Sequence, residues 1–326
     1  MLPRVKRPFL IDTDTASDDA VALIMALRSP LVEVVAVTTV AGNVRVEQST
    51  RNALYTAELC GACVPVFAGA EKPLRREHYG ADWFHGRDGL GDHDYPPPKR
   101  VPERMSAADA IIATVETHPG ALEMVTLGPL TNIALALQKR ADIAGKVRRC
   151  VVMGGAPCCE GNVTPAAEYN IWCDPEAARM VMRSGLPIEL VGWHLSRHGA
   201  VLNSSEIEHI LSFKNPIAEF AIECNSMAQQ AFLRQTGEPG IALPDPVAMA
   251  VALDPSMVTA RSKHLVEVET ESELTRGMTI VDRLHVAGDE RNRQAWAQSL
   301  ADGHQAEILW SIDNARWKEA LYAALR

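Results

Sequence analysis

Four aspartates, Asp12, Asp14, Asp18 and Asp19, fall within the stretch Phe9-Leu10-Ile11-Asp12-Thr13-Asp14-Thr15-Ala16-Ser17-Asp18-Asp19-Ala20. An apolar run leads into them and an apolar-periodic segment follows, which reads as strand, turn and helix. Alternation along the strand sends Asp12 and Asp14 off one face, and Ser17 is placed to cap a helix whose first turn holds Asp18 and Asp19. All four charges are therefore expected to converge. A helix N-terminus stabilises a carboxylate by about 1 kcal/mol, which does not offset four like charges packed within a few ångströms. A hard divalent cation, calcium or magnesium, would offset them through carboxylate oxygens. The alternative is a solvated, well-capped helix start, but Asp-x-Asp-x3-Asp-Asp at a strand end favours metal.

The rest of the chain limits what such a site could serve. With 326 residues and 47% hydrophobic content there is material for a large core in one or two domains. A net charge of −9, with no basic cluster interleaved with aromatics, argues against nucleic acid and for a small-molecule substrate. Seven cysteines, an odd number that includes the neighbours Cys158 and Cys159, read as reduced thiols in a cytoplasmic protein. Neither a signal-peptide apolar region nor a run long enough to span a bilayer is present, so a soluble protein without a membrane partner is expected.

The elements that must position the aspartates follow from periodicity. A helix over 17–27 precedes a β-branched strand over 32–40, a helix running to Gly61 and a short strand over 64–67. From 69 to 103 the pattern breaks into a Gly, Pro, His and Asp-rich loop carrying Trp83-Phe84-His85-Gly86, and loops this long inside a domain are usually functional. Alternation resumes with a helix over 106–117, a strand over 122–127 and a helix opened by Pro129-Leu130-Thr131-Asn132. A strand over 147–153, a polar turn-rich segment over 162–170, a helix from 174 and a strand over 188–192 come next. Helices over 204–213, 216–234 and 245–253 precede a stretch read as strands and a final helix over 314–325. Without repeat or linker, residues 1–326 read as a single α/β domain with a mostly parallel mixed sheet flanked by helices. Ligands in such sheets bind beyond the carboxyl ends of strands, where the unusual polar clusters of this chain all fall, and that coincidence points to an enzyme.

Taken together, Asp12-Thr13-Asp14 with Asp18-Asp19, Val40-Ala41-Gly42-Asn43, His85-Gly86 with Gly89-Leu90, Leu127-Gly128-Pro129-Leu130-Thr131-Asn132, Met153-Gly154-Gly155 with Gly161-Asn162-Val163, Glu168-Tyr169-Asn170, Asp245-Pro246 and Leu274-Thr275-Arg276-Gly277 resemble the inosine-uridine-preferring nucleoside hydrolases over most of the chain. The resemblance implies that family's fold, one α/β domain around a mixed sheet, and assembly as homodimers or homotetramers. It implies Ca²⁺ held by Asp14, both oxygens of Asp19, the carbonyl of Leu127 and Asp245, with room for a water and two ribose hydroxyls. Asp14 matches the general base, and Asp18, Asn43, Asn162, Glu168 and Asn170 match positions that hydrogen-bond ribose beside the main chain of Met153. Cleaving an N-glycosidic bond demands the same parts: a nucleophilic water, support for an oxocarbenium-like transition state and help for the departing base.

Three departures from that pattern bear on the chemistry. Thr15-Ala16 stand where the family has Pro-Gly, which alters the turn but keeps the carboxylates. Pro244 stands where many members carry a histidine that activates the leaving base, and proline cannot donate a proton. His194, in Gly192-Trp193-His194-Leu195-Ser196-Arg197-His198, and His85 are the candidates to replace it as catalytic acid, with Trp83 able to stack on the base or pack under its loop. Without the usual acid, pyrimidine nucleosides, whose base can leave as an anion, are expected over inosine. Two other readings compete: a haloacid-dehalogenase-like, Mg²⁺-dependent phosphohydrolase using Asp12 and Asp14, and a catalytically impaired nucleoside or ribose sensor.

Overall fold

β1 (Arg7–Thr13) is the spine of the computed structural model, which describes residues 6–326. Its side chains alternate as the sequence requires: Phe9 and Ile11 enter one hydrophobic core and Leu10 enters the other. With β2 (Val32–Thr39), β3 (Val66–Ala68), β4 (Glu123–Thr126), β5 (Arg149–Met153) and β6 (Ile188–Val191), it builds a sheet in the order β3-β2-β1-β4-β5-β6. Strand Ala306–Ile312 extends this parallel array beside β6, and the antiparallel Val258–His264 closes the edge. The expected mixed, mostly parallel sheet is thus the observed one. Strand order reverses between β1 and β4, and a reversal of this kind opens a crevice at the carboxyl ends. Asp14 follows β1 and Leu127 follows β4, so both stand at that crevice.

Two buried helices aim at the same place. α1 (Ser17–Leu27) is buried from Ser17 to Ala26, and it packs against helix Pro244–Leu253, which is buried from Asp245 to Ala252. A helix apolar all round is stable only inside a core. The last carbonyls of Pro244–Leu253 are held at the opposite end of the sheet, where Arg7 donates to Ala252 O (3.1 Å) and Leu253 O (2.7 Å), and Arg149 to Ala252 O (3.0 Å). Cations at a helix C-terminus satisfy its orphan carbonyls, and here they fix the helix whose first turn presents Asp245.

Four departures from the sequence expectations matter. The 216–234 helix is two, Pro216–Glu223 and Ser226–Thr236, broken at Cys224 and Asn225. Helix Ala297–Asp302 interrupts the stretch read as strands, its six residues being too few to show a helical period. The long loop holds a one-turn helix, Asp82–His85, and β6 runs directly into helix Trp193–His198.

Candidate active site

Asp14 lies one residue past the end of β1, so strand alternation no longer governs it. Its Oδ2 accepts the main-chain N–H of Asn43 at 2.6 Å. Two glycines give it room: a Cβ on Gly42 would stand 2.1 Å from Asp14 Oδ2, and one on Gly128 2.7 Å from Oδ1. Asp19 accepts from Thr13 Oγ1 (2.5 Å) and Ala16 N (3.0 Å). That second bond caps α1, the task expected of Ser17, whose hydroxyl instead meets His85 Nδ1 at 2.8 Å.

Asp12 does not join the cluster. Its Oδ1 accepts from Thr38 Oγ1 (2.5 Å) and Asn132 Nδ2 (2.8 Å), and burial pushes its carboxyl up to about 7 against those two bonds. The fourth carboxylate is Asp245, and oxygens of Asp18, Asp19 and Asp245 lie within 4.8 Å of one another. Burial, then the neighbouring charge of Asp19, raises Asp14 well above the ordinary carboxylate range and Asp18 to about 8. Asp245 is raised in the same way, by burial and then by Asp18, Asp19 and Asp14.

Such a set resists ionising unless a cation joins it. Asp14 Oδ1 and Asp18 Oδ1 are buried without a hydrogen-bond partner, and every donor in the cluster is a hard oxygen. Unpaired oxygen donors in one buried acidic cluster fit a hard divalent ion.

Above the carboxylates opens a concave cavity, walled by apolar and aromatic side chains with a few convergent polar groups. Asp18, Asn43, His85, Leu127, Met153, Asn162, Glu168, Asn170 and Asp245 line it, while Asp14 and Asp19 are fully buried and outside its lining. The polar residues are set by one another. Glu168 accepts from Asn170 N (2.9 Å) and Gly155 N (2.7 Å), capping the short helix Tyr169–Cys173. Asn170 Nδ2 donates to Leu127 O (2.7 Å) and reaches Met153 O at 3.4 Å, leaving its Oδ1 for an occupant. Asn162 Oδ1 accepts from Tyr169 N at 2.9 Å, leaving its amino group.

The two candidate histidines part company. His85 lines the cavity, and burial holds its imidazole down at about 3, so it is neutral at physiological pH. His194 is not among the lining residues: its Nε2 lies 2.9 Å from Leu309 O, while Trp193 takes the place at the wall. Successive helical residues point about 100° apart, so a single step along the helix turns His194 away from the wall that Trp193 faces.

Sequence reasoning passed over several lining residues. The Tyr169 hydroxyl lies 2.8 Å from Gly42 O and 2.7 Å from Tyr79 O, able to donate to one of them at a time, and so tethers the turn that carries Asn43. Asn225 comes from the break in the expected helix, and Ala228 and Gln235 from helix Ser226–Thr236 beyond it, where no local pattern marks them.

The family model for the inosine-uridine preferring nucleoside hydrolases matches residues 9–319. The chain belongs to that family. This hydrolase is 39% identical over 327 residues to the pyrimidine-specific ribonucleoside hydrolase RihA of Shewanella sp. (strain ANA-3), covering 98% of this chain and 96% of that one. Among solved structures, a plant nucleoside hydrolase, the PpNRh1 enzyme, superposes with a TM-score of 0.91 at 32% identity, over 98% of this chain and 99% of that one. A purine-preferring ribonucleoside hydrolase from Gardnerella vaginalis gives 0.87 at 30%, over 98% of each. The hydrolase is thus a ribonucleoside hydrolase, and the phosphohydrolase reading falls away: its required partner Asp12 is held off the cavity by Thr38 and Asn132. Among the described residues no helix is long and apolar enough to cross a membrane.

Proposed function

We propose that the enzyme hydrolyses the N-glycosidic bond of pyrimidine ribonucleosides with Ca²⁺ as its metal and Asp14 as general base. The observation that carries this reading is the Asp14 carboxylate, one oxygen pinned by Asn43 N–H and the other buried without a partner beside Asp19 and Asp245. Calcium held by Asp14, Asp19, Asp245 and the Leu127 carbonyl would lower the pKa of water and orient the ribose diol.

The remaining work falls to the chain's own side chains. Asp14 takes the proton of the attacking water. Asp18 Oδ1 and Asn170 Oδ1 accept from ribose hydroxyls, Asn162 donates to the sugar, and Asn43, Glu168 and the main chain of Met153 complete the cradle. Neutral His85 serves the base as a hydrogen-bond donor, with Ser17 on its Nδ1 leaving Nε2–H for the cavity. Pro244 lines the cavity without a proton to give, which favours a base able to leave as an anion. His194, bonded to Leu309 O, takes no part. We further propose one domain, a homodimer or homotetramer and a cytoplasmic setting, the last supported by seven free cysteines.

The test is a panel of purine and pyrimidine ribonucleosides assayed for free ribose, with calcium present and after chelation. Uridine should outrun inosine, 2′-deoxyuridine should be a very poor substrate, and chelation should stop turnover. Equal kcat/KM for uridine and 2′-deoxyuridine would remove the diol from the proposed site.

A further inference from the structure

Asn225 stands at the break between helices Pro216–Glu223 and Ser226–Thr236, fully buried and lining the cavity. Its Nδ2 faces Ala221 O (3.0 Å) and Ser17 O (3.3 Å). Both are acceptors, so the amide has only one sensible orientation, with its NH₂ turned to them. That leaves Oδ1, which is buried and has no hydrogen-bond partner. Buried acceptors are nearly always paired in a working protein, and the cavity is where a partner can arrive.

The placement says which part of a substrate that partner belongs to. Ser17 holds Asn225 through its carbonyl and His85 through its hydroxyl, so the two side chains share one anchor. The wall continues through Ala228, Ala242 and Pro244, none of which offers a side-chain hydrogen bond. Of the residues proposed for the sugar, Asp18 adjoins the Ser17 anchor, while Asn43 and 162–170 lie on other segments.

We infer that Asn225 reads the base, its Oδ1 accepting the N3–H of uracil, so that the enzyme selects uridine over cytidine. The inference rests on the pyrimidine reading above and narrows it. Uracil presents a C2 carbonyl and, next to it, an N3–H: an acceptor for His85 and a donor for Asn225. Cytosine keeps the carbonyl but has a bare nitrogen at position 3, which sets acceptor against acceptor. A site built to pair a substrate N–H discriminates strongly against an analogue lacking it, because the buried protein group is then left unpaired.

The experiment compares uridine with cytidine on the calcium-loaded enzyme and on Asn225→Ala, and measures free uracil and cytosine as product inhibitors of both. Inhibition by free base removes leaving-group ability from the comparison. Uridine should exceed cytidine by roughly tenfold or more in kcat/KM, and uracil should inhibit correspondingly better than cytosine. In Asn225→Ala the uridine advantage and the uracil advantage should both shrink toward unity, mainly through KM and the inhibition constant, because N3–H stays on the base throughout the reaction. If the variant does not fold, the inhibition by the two free bases of the unaltered enzyme still decides. Cytosine binding as well as uracil, or an advantage that survives Asn225→Ala, overturns the pairing alone. Rapid inosine cleavage with no pyrimidine cleavage overturns the pyrimidine reading and the pairing together.

Discussion

Asn170 donates its side-chain amide to the carbonyl of Leu127 across 2.7 Å, joining the polar segment after β5 to the end of β4. A carbonyl has two lone pairs, so the same oxygen can accept from Asn170 and still face a cation. The bond fixes where that oxygen points.

Asn170→Leu keeps the volume and removes the donor. Calcium affinity should weaken about 10- to 100-fold, as is usual when the partner that orients a metal ligand is lost, and turnover should fall with it. A calcium titration that gives the same Kd for both proteins would detach Leu127 from the metal site.

Asp14→Asn should lower kcat by about a thousandfold or more if the carboxylate is the general base. The metal-free variant should melt no lower than the parent, since one of several crowded buried charges is gone. Gly42→Ala should reproduce the loss of activity by driving a methyl into the Asp14 carboxylate. Near-native turnover by Asp14→Asn with metal still bound would reassign the base.

The carboxylate cluster sets the pH response of the metal-free protein. Asp14, Asp18 and Asp245 have folded-state pKa values raised above those of the unfolded chain, Asp18 to about 8. The folded state then binds more protons than the unfolded one between about pH 4 and pH 8, so stability falls as pH rises through that window. A calcium ion bound at the cluster would replace those protons, so the stabilisation by added calcium should be larger at pH 8 than at pH 6. Thermal melts at both pH values, with calcium and with chelator, measure this directly; a larger calcium-induced rise in Tm at pH 6 would contradict it.

His85→Ala should reduce turnover about 10- to 100-fold and alter the ratio of uridine to inosine cleavage, because the ring it removes lines the cavity. His194→Ala should leave that ratio unchanged, its ring being turned to Leu309 O. A selective collapse of inosine cleavage in His194→Ala would restore it as the leaving-group acid.

The sequence by itself determined the alternation of strands and helices, the mostly parallel sheet, and the strand ends at Asp14, Leu127 and Met153. These depend on periodicity and turn chemistry, which act between neighbours in the chain. Tertiary structure alone decided which side chains share a point in space. Asp12 and Asp14 have the same local credentials, yet Thr38 and Asn132 hold Asp12 away while Asp245 arrives from a helix more than two hundred residues later. Ser17 has the local marks of a cap, yet its hydroxyl meets His85, and the His194 ring reaches Leu309 O from outside the cavity lining. Asn225 carried no signal at all, because an orphaned acceptor exists only once the groups that hold its amide, Ser17 O and Ala221 O, are in place. A local pattern fixes the path of the backbone; the pairing of buried polar groups is satisfied across the fold, by residues the pattern does not connect.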